Sequence, residues 1–219
     1  MTKFAVSAAL SALLVSGAAE AASYVYGVQT DSQANQAVTV FESAGSIADF
    51  YNYYDASGHP SFPTVSDEVL LFLHRDTTTG ILGLGMIIDT LKDGSGGSLS
   101  FTVSGAPAGS LVTRKDDGGE TPAKNAVNGS YDFNWNACCT DGFAAEGFED
   151  AAWSVLFTDF IGTGLNGGSF INADGSLIAL GAPGSVTLTA AAVPVPAALP
   201  LAASGLALLG YAARRARKA

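Results

Sequence analysis

The chain of 219 residues is short of the side chains on which most catalytic chemistry depends: it has two histidines and two cysteines. A zinc centre draws three or four ligands from His, Cys and carboxylate, more than His59, His74 and one adjacent pair of thiols arrange convincingly. No G-x-S-x-G occurs, so there is no nucleophile elbow, and any serine triad would rest on one of those two histidines. Positive charge is scarce as well. From Ala22 to Ala192 there are nineteen acidic residues against five basic ones (Arg75, Lys92, Arg114, Lys115 and Lys124), a net charge near −14. Such a segment repels nucleic acid and anionic membrane surfaces, which excludes both as partners, and the charge suits solubility or the attraction of divalent cations. The longest apolar runs lie at the two ends, and they inflate the 48% hydrophobic content.

The first of these runs follows Lys3 and extends from Phe4 to Val15, with Ala19-Glu20-Ala21 behind it. A basic start, an apolar stretch and small residues at Ala19 and Ala21 predict a signal peptide over 1–21, removed by signal peptidase after Ala21 or nearby. The second run is built in three parts. Val193-Pro194-Val195-Pro196-Ala197 is followed by an uncharged stretch to Ala213, and then by Arg214, Arg215, Arg217 and Lys218. As a helix, 195–213 would be about 28 Å long, close to a hydrocarbon core of about 30 Å. The basic cluster would then stop transfer and remain on the cytoplasmic side.

The order of proline motif, apolar helix and basic end resembles the C-terminal sorting signal of PEP-CTERM proteins. Val193 to Ala197 looks most like the VPLPA variant, departing from the eponymous motif at Val195, where an acidic residue would stand. The resemblance implies recognition by exosortase, a membrane-embedded cysteine peptidase, and a plain single-pass anchor is the alternative. Within the body, Phe50-Tyr51-Asn52-Tyr53, the stretch from His74 to Gly80, Leu82-Gly83-Leu84-Gly85, and the stretch from Trp135 to Gly142 resemble motifs that recur in the same proteins. Those motifs imply no reaction.

The body, residues 22–192, is long enough for one domain. Short apolar or alternating runs separated by Asp-Gly, Asn-Gly and Gly-Gly predict an all-β fold, an antiparallel sandwich or jelly roll, and the 26 glycines fit it. Ten strands are expected: 24–28, 38–41, 69–74, 81–88, 99–103, 111–113, 131–135, 153–157, 177–180 and 186–189. One short helix interrupts them, with Ile47, Phe50, Tyr51 and Tyr54 on one face and Ser46 as its cap. That aromatic face either packs on the sheets or, with Tyr53, offers a platform for a sugar.

Cys138 and Cys139 are adjacent. Consecutive Cα atoms lie about 3.8 Å apart, below the usual disulfide span of about 4.4–6.8 Å, so a vicinal bridge requires a distorted or cis peptide. In an oxidising compartment the pair would form such a bridge, bond to another molecule, or stay buried.

Several catalytic templates fail on individual residues. His74-Arg75-Asp76 matches the kinase catalytic tripeptide, but Ile81 stands where the metal-binding Asn belongs. Gly162-Thr163-Gly164-Leu165-Asn166-Gly167 fits G-x-G-x-x-G but opens no helix to hold a phosphate, and it reads as a glycine-rich loop. Asp132, Asn134 and Asn136 copy the start of a calcium loop, whereas Ala137 and Phe143 replace its glycine and its bidentate glutamate. Calcium held between loops by Asp132, Asn136, Asp141, Glu149 or Asp150 remains open. Glu146, Glu149 and Asp150 offer carboxylates for glycoside hydrolysis, but in so acidic a chain spacing singles out no catalytic acid.

The expected function is therefore non-enzymatic, with no resident cofactor or metal. The resemblance implies an exported protein held in the membrane by its C-terminal helix and then retained at the cell surface or in the extracellular matrix, with a structural or interaction role. A second reading is a module that binds exopolysaccharide through Trp135, Trp153 or the tyrosines. A third is a secreted hydrolase.

Overall fold

A computed structural model describes residues 23–51, 62, 67–88, 96–115, 126–135, 141–149, 151–182 and 184–193. In chain order the elements are β1 (Tyr24–Thr30), β2 (Gln36–Val38), β3 (Phe41–Ser43), α1 (Ile47–Tyr51), β4 (Glu68–Asp76), β5 (Leu82–Ile88) and β6 (Gly97–Ser104). They continue with β7 (Leu111–Lys115), β8 (Gly129–Trp135), β9 (Asp141–Glu146), β10 (Trp153–Thr163), β11 (Gly167–Ile171), β12 (Leu177–Gly181) and β13 (Ser185–Ala192). The fold is mostly β with one very short helix, as the alternating runs predict.

Two sheets hold these strands. One has six strands in the order β2-β1-β13-β10-β6-β8, and the other has seven, β12-β11-β4-β5-β9-β7 with β3 beside β4. The six-stranded sheet is antiparallel throughout. The seven-stranded sheet is mixed, because β11 and β3 both run parallel to β4. This corrects the expectation of a purely antiparallel arrangement. β3 and β11 lie along different halves of β4, Phe41 to Ser43 opposite His74 to Asp76 and Gly167 to Phe170 opposite Glu68 to Leu71.

Side-chain alternation decides which face is buried. In β6, Leu99, Phe101 and Val103 point inward while Ser100 and Thr102 point outward, and in β8 Tyr131, Phe133 and Trp135 alternate with Ser130, Asp132 and Asn134. β5, by contrast, is buried at every residue. Its Leu82, Leu84, Met86 and Ile88 join the core shared by the two sheets, and Ile87 joins a second cluster beneath α1. A strand covered on both faces loses its alternation, which is why β5 is a continuous apolar run. The shared core is rich in rings, and Tyr131 of β8 stacks on Phe143 of β9 at 5.0 Å between centroids, joining one sheet to the other. Tyr131 donates its hydroxyl to Val127 O at 2.8 Å, and burial pushes its pKa up.

The expected helix forms as α1. Asp49 N–H donates to Ser46 Oγ at 3.1 Å and Ser46 N–H donates to Asp49 Oδ2 at 3.3 Å, a reciprocal cap. Ile47 and Tyr51 are buried on the outer side of the seven-stranded sheet, and Tyr54 lies outside the described residues. Among the described residues no helix is long and apolar enough to cross a membrane, and the expected span, 195–213, lies outside them.

Candidate functional site

The motif from His74 to Gly80 builds the β4–β5 turn. Asp76 accepts from Gly45 N–H at 3.1 Å, Thr78 N–H at 2.8 Å and Thr79 Oγ1 at 2.7 Å, so one carboxylate ties the turn to the segment entering α1. The Thr78 amide and the Thr79 hydroxyl, in that order, hold the Asp76 carboxyl below its ordinary range. Gly80 has φ +77°, a left-handed conformation that suits glycine, and its N–H donates to Asp76 O at 2.7 Å. Arg75 donates to Gly80 O at 3.1 Å and to Tyr26 Oη at 2.7 Å. The tripeptide that looks like a catalytic loop is therefore the frame of a hairpin.

His74 is fully buried, stacked on the Phe50 ring at 4.4 Å, with Nε2 and Ser43 Oγ 2.8 Å apart. Its Nδ1 has no hydrogen-bond partner among the described residues. A triad would need an acid on that nitrogen, whereas the three groups named above occupy Asp76. Burial lowers the His74 pKa, and the nearby Asp76 charge offsets part of that effect.

Among the described residues Glu146, at the end of β9, is the carboxyl whose pKa is raised. Burial is the main cause, Asp49 and Asp76 add to it, and a hydrogen bond from Ile47 N–H opposes it. Glu146 and Glu149 together line a groove of about 480 Å³ between the β4–β5 turn and β7. Glu149 is exposed, and Asp150 lies outside the described residues. Chemically, a half-buried carboxyl that keeps its proton to higher pH sits there beside an exposed carboxylate, and the first of the two also fastens the start of α1.

A second cavity, of about 130 Å³, opens between the sheets, lined by Val69, Leu71, Leu99, Phe160, Leu180 and Val186 among others. Its lining offers packing to a small apolar group. The glycine-rich stretch 162–167 forms part of its rim, running from the last two residues of β10, Gly162 and Thr163, to Gly167 at the start of β11.

The aromatic residues expected to meet sugars are interior. Trp135 and Trp153 belong to the shared core and Tyr51 to the cluster under α1, so none of the three provides an exposed stacking platform. Tyr53 and Tyr54 lie outside the described residues. The calcium-loop resemblance fails on backbone shape: Asp132 and Asn134 lie on extended β8, where same-face side chains start about 7 Å apart, while calcium takes oxygens at about 2.3–2.6 Å. Asp132 accepts from Ser100 Oγ at 2.6 Å, and Asp141 is buried at the start of β9. Among the described residues no three His, Cys, Asp or Glu side chains are grouped to hold a metal ion.

Of the sorting motif, Val193 is described: it is exposed, and its N–H donates to Ser23 O at 2.8 Å. Pro194, Val195, Pro196, Ala197, the basic cluster from Arg214 to Lys218, Ala19, Ala21, Cys138 and Cys139 lie outside the described residues. No family model, no curated protein and no solved structure matches the chain.

Proposed function

We propose that the protein is an exported surface or matrix component of the PEP-CTERM type, whose mixed two-sheet body is a β-sandwich carried on a removable C-terminal anchor. Signal peptidase and an exosortase-type peptidase are its processing partners, and its role is structural or interactive. The observation that carries this reading is the order of the terminal segments in the sequence: small-residue exit before the body, then proline motif, uncharged stretch and basic cluster after it. The folded body supports it. β1 and β13 are paired along their full length, with Tyr24 opposite Ala192, so the chain enters and leaves at one end of one sheet. In the sequence, both expected processing points, near Ala21 and at Val193 to Ala197, lie beyond these paired residues.

The test is fractionation of cells expressing the chain with and without residues 193–219, together with mass mapping of both mature termini. The full chain is expected in the membrane and surface fractions with a start near Ala22, and the shortened chain as a soluble exported protein. A shortened chain that stays with the membrane would overturn the anchor, and an untrimmed cytoplasmic chain would overturn the export reading.

A further inference from the structure

The glycine-rich stretch from Gly162 to Gly167 sits where both sheets depart from regular pairing. In β10 the register against β6 shifts between Thr158 and Ile161, and Asp159 takes φ +60°, a left-handed conformation that aspartate tolerates better than most residues. A bulge of this kind re-aims the side chains that follow it. Trp153, Val155 and Phe157 alternate into the shared core ahead of the bulge, and beyond it Phe160, three positions after Phe157, packs against that core as well. The Phe160 ring stacks on Phe101 at 5.2 Å between centroids.

Gly162 follows two residues later, and there the row of side chains stops. A Cβ on it would approach Ser98 O at 2.9 Å, Leu99 Cδ1 at 3.2 Å and Leu165 Cδ1 at 3.5 Å. The other sheet repeats the pattern. Gly168 of β11 faces Gly181 of β12, and the register shifts again between Gly168 and Ser169. A Cβ on Gly181 would meet nothing within 4 Å. Glycines on β10, β11 and β12, each beside a bulge, thus leave a gap between the sheets.

That gap is the cavity of about 130 Å³. Val69, Leu71, Leu99, Leu180 and Val186 wall it, each only 1–6% exposed, and the half-buried Phe160 and Leu165 add to the wall. Glycine aside, every described lining residue has a hydrocarbon side chain, and none is charged.

We propose that this cavity is a binding site for a small uncharged apolar molecule of about benzene's size. A cavity of about 150 Å³ walled by Leu, Ile and Phe takes up benzene, so the volume suits such a guest. The walls select for it. A water molecule held in a cavity needs roughly two to four polar partners, which these side chains do not supply. An ionised ligand would lose its hydration without meeting a counter-charge. An apolar guest gains by leaving water, and walls already fixed by strand pairing spare it most of the cost of ordering a site. At Gly162, Gly168 and Gly181 there is no side chain to swing aside as the guest enters. The inference goes beyond the proposed function and does not rest on it, because the cavity lies wholly in the folded body.

The test is NMR of the full-length chain in detergent micelles, with isotope-labelled Leu and Val methyl groups. Benzene is supplied through the vapour phase, which fixes its activity whatever the micelles absorb. Saturable shifts are expected for the methyls of Leu71, Leu99, Leu180 and Val186. Val112, on β7 at the other end of the seven-stranded sheet, is expected to move little. L180F, which fills the cavity, and L165W, at a half-buried position, are each expected to weaken binding several-fold, whereas I81A, just ahead of β5, leaves it unchanged. Benzoate, the same ring with a charge, is expected to shift none of these methyls. Circular dichroism checks the fold of each variant, and L165W decides where L180F does not fold. Shifts that never saturate, or that are as large at Val112, would overturn the proposal by showing general partitioning of benzene. So would benzoate binding as well as benzene, equal loss with I81A, or undiminished binding in a folded L180F or L165W.

Discussion

His74 shows at the level of one residue how the body depends on pH. Its ring is buried and stacked on Phe50, and burial lowers its pKa from the ordinary 6.5. Below that value the unfolded chain takes up a proton that the folded chain refuses, so stability falls as pH drops toward the folded pKa, with a slope of at most about 1.4 kcal/mol per pH unit for one proton. Glu146 acts the other way, since its raised pKa lets the folded state bind a proton before the unfolded one does. Urea midpoints of the wild type are expected to decline between pH 7 and pH 5.5, and H74Q is expected to lose that decline even if its stability at pH 7 is lower. An unchanged slope in H74Q would refute the assignment. Gly85 is a second residue whose role is specific. It faces Phe72 across the β4–β5 ladder, and a Cβ there would come within 2.1 Å of the ring. G85A is expected to cost about 1–3 kcal/mol in denaturant unfolding, as overpacking does. The paired glycines of Leu82-Gly83-Leu84-Gly85 thus have a packing cause: Gly83 lies under Ile47 and Gly85 under Phe72, while the leucines between them fill the inter-sheet core.

Among the elements, α1 is a single short helix of five residues that lies outside the strand ladders. Its five residues are fixed by the Ser46–Asp49 cap, by the Ile47 N–H bond to Glu146, and by the aromatic cluster around Phe41 and Phe62. S46A is expected to lower stability by about 0.5–2 kcal/mol. Protection of the amides near α1 should fall further than that of β4 and β5 in hydrogen exchange, and equal losses would mean that the helix does not open on its own. The elements also show what a sequence conveys. β4, β5, β6, β8 and β13 are legible as elements, with ends displaced by up to three residues, because β-branched and aromatic side chains repeat every second position or run unbroken where both faces are covered. β9 and β11 are not. Asp141-Gly142 carries a turn signal yet starts β9, where a Cβ on Gly142 would strike Met86 O. Gly167 and Gly168 have the composition of a loop yet start β11, where a Cβ on Gly167 would meet Gly181 O at 2.7 Å. Glycine serves tight turns and close backbone approach alike, and composition does not separate the two. The apolar run 38–41 likewise hides a break, since β2 and β3 pair in different sheets. The parallel partners of β4 are set by long-range pairing and leave no local trace.

For the whole molecule, the most remote pairing in sequence is the one that closes the six-stranded sheet. β13 lies between β1 and β10, pairing with both, so the last strand of the body is interior. A chain ending at Val193 is expected to keep the cooperative unfolding of the full protein. A chain ending at Gly184 is expected to lose it, because β1 and β2 would be cut off from the rest of their sheet. Thermal unfolding followed by circular dichroism distinguishes the two, and a cooperative transition in the shorter chain would contradict the topology. The site residues were legible in an uneven way. His74, Asp76 and Glu146 stand out in the sequence as chemistry-bearing types, but their work as turn frame, buried ring and helix tether depends on contacts with residues 43–49.

The bond between Val193 and Ser23 has a topological consequence: a few residues of linker would join these ends into a ring without disturbing any rung of the ladder. The chain could then be opened at another surface connection with the same partners for every strand, so the start and finish of the body are interchangeable with respect to its architecture. What is attached at that doorway can be replaced or trimmed while the folded globule carries on as before.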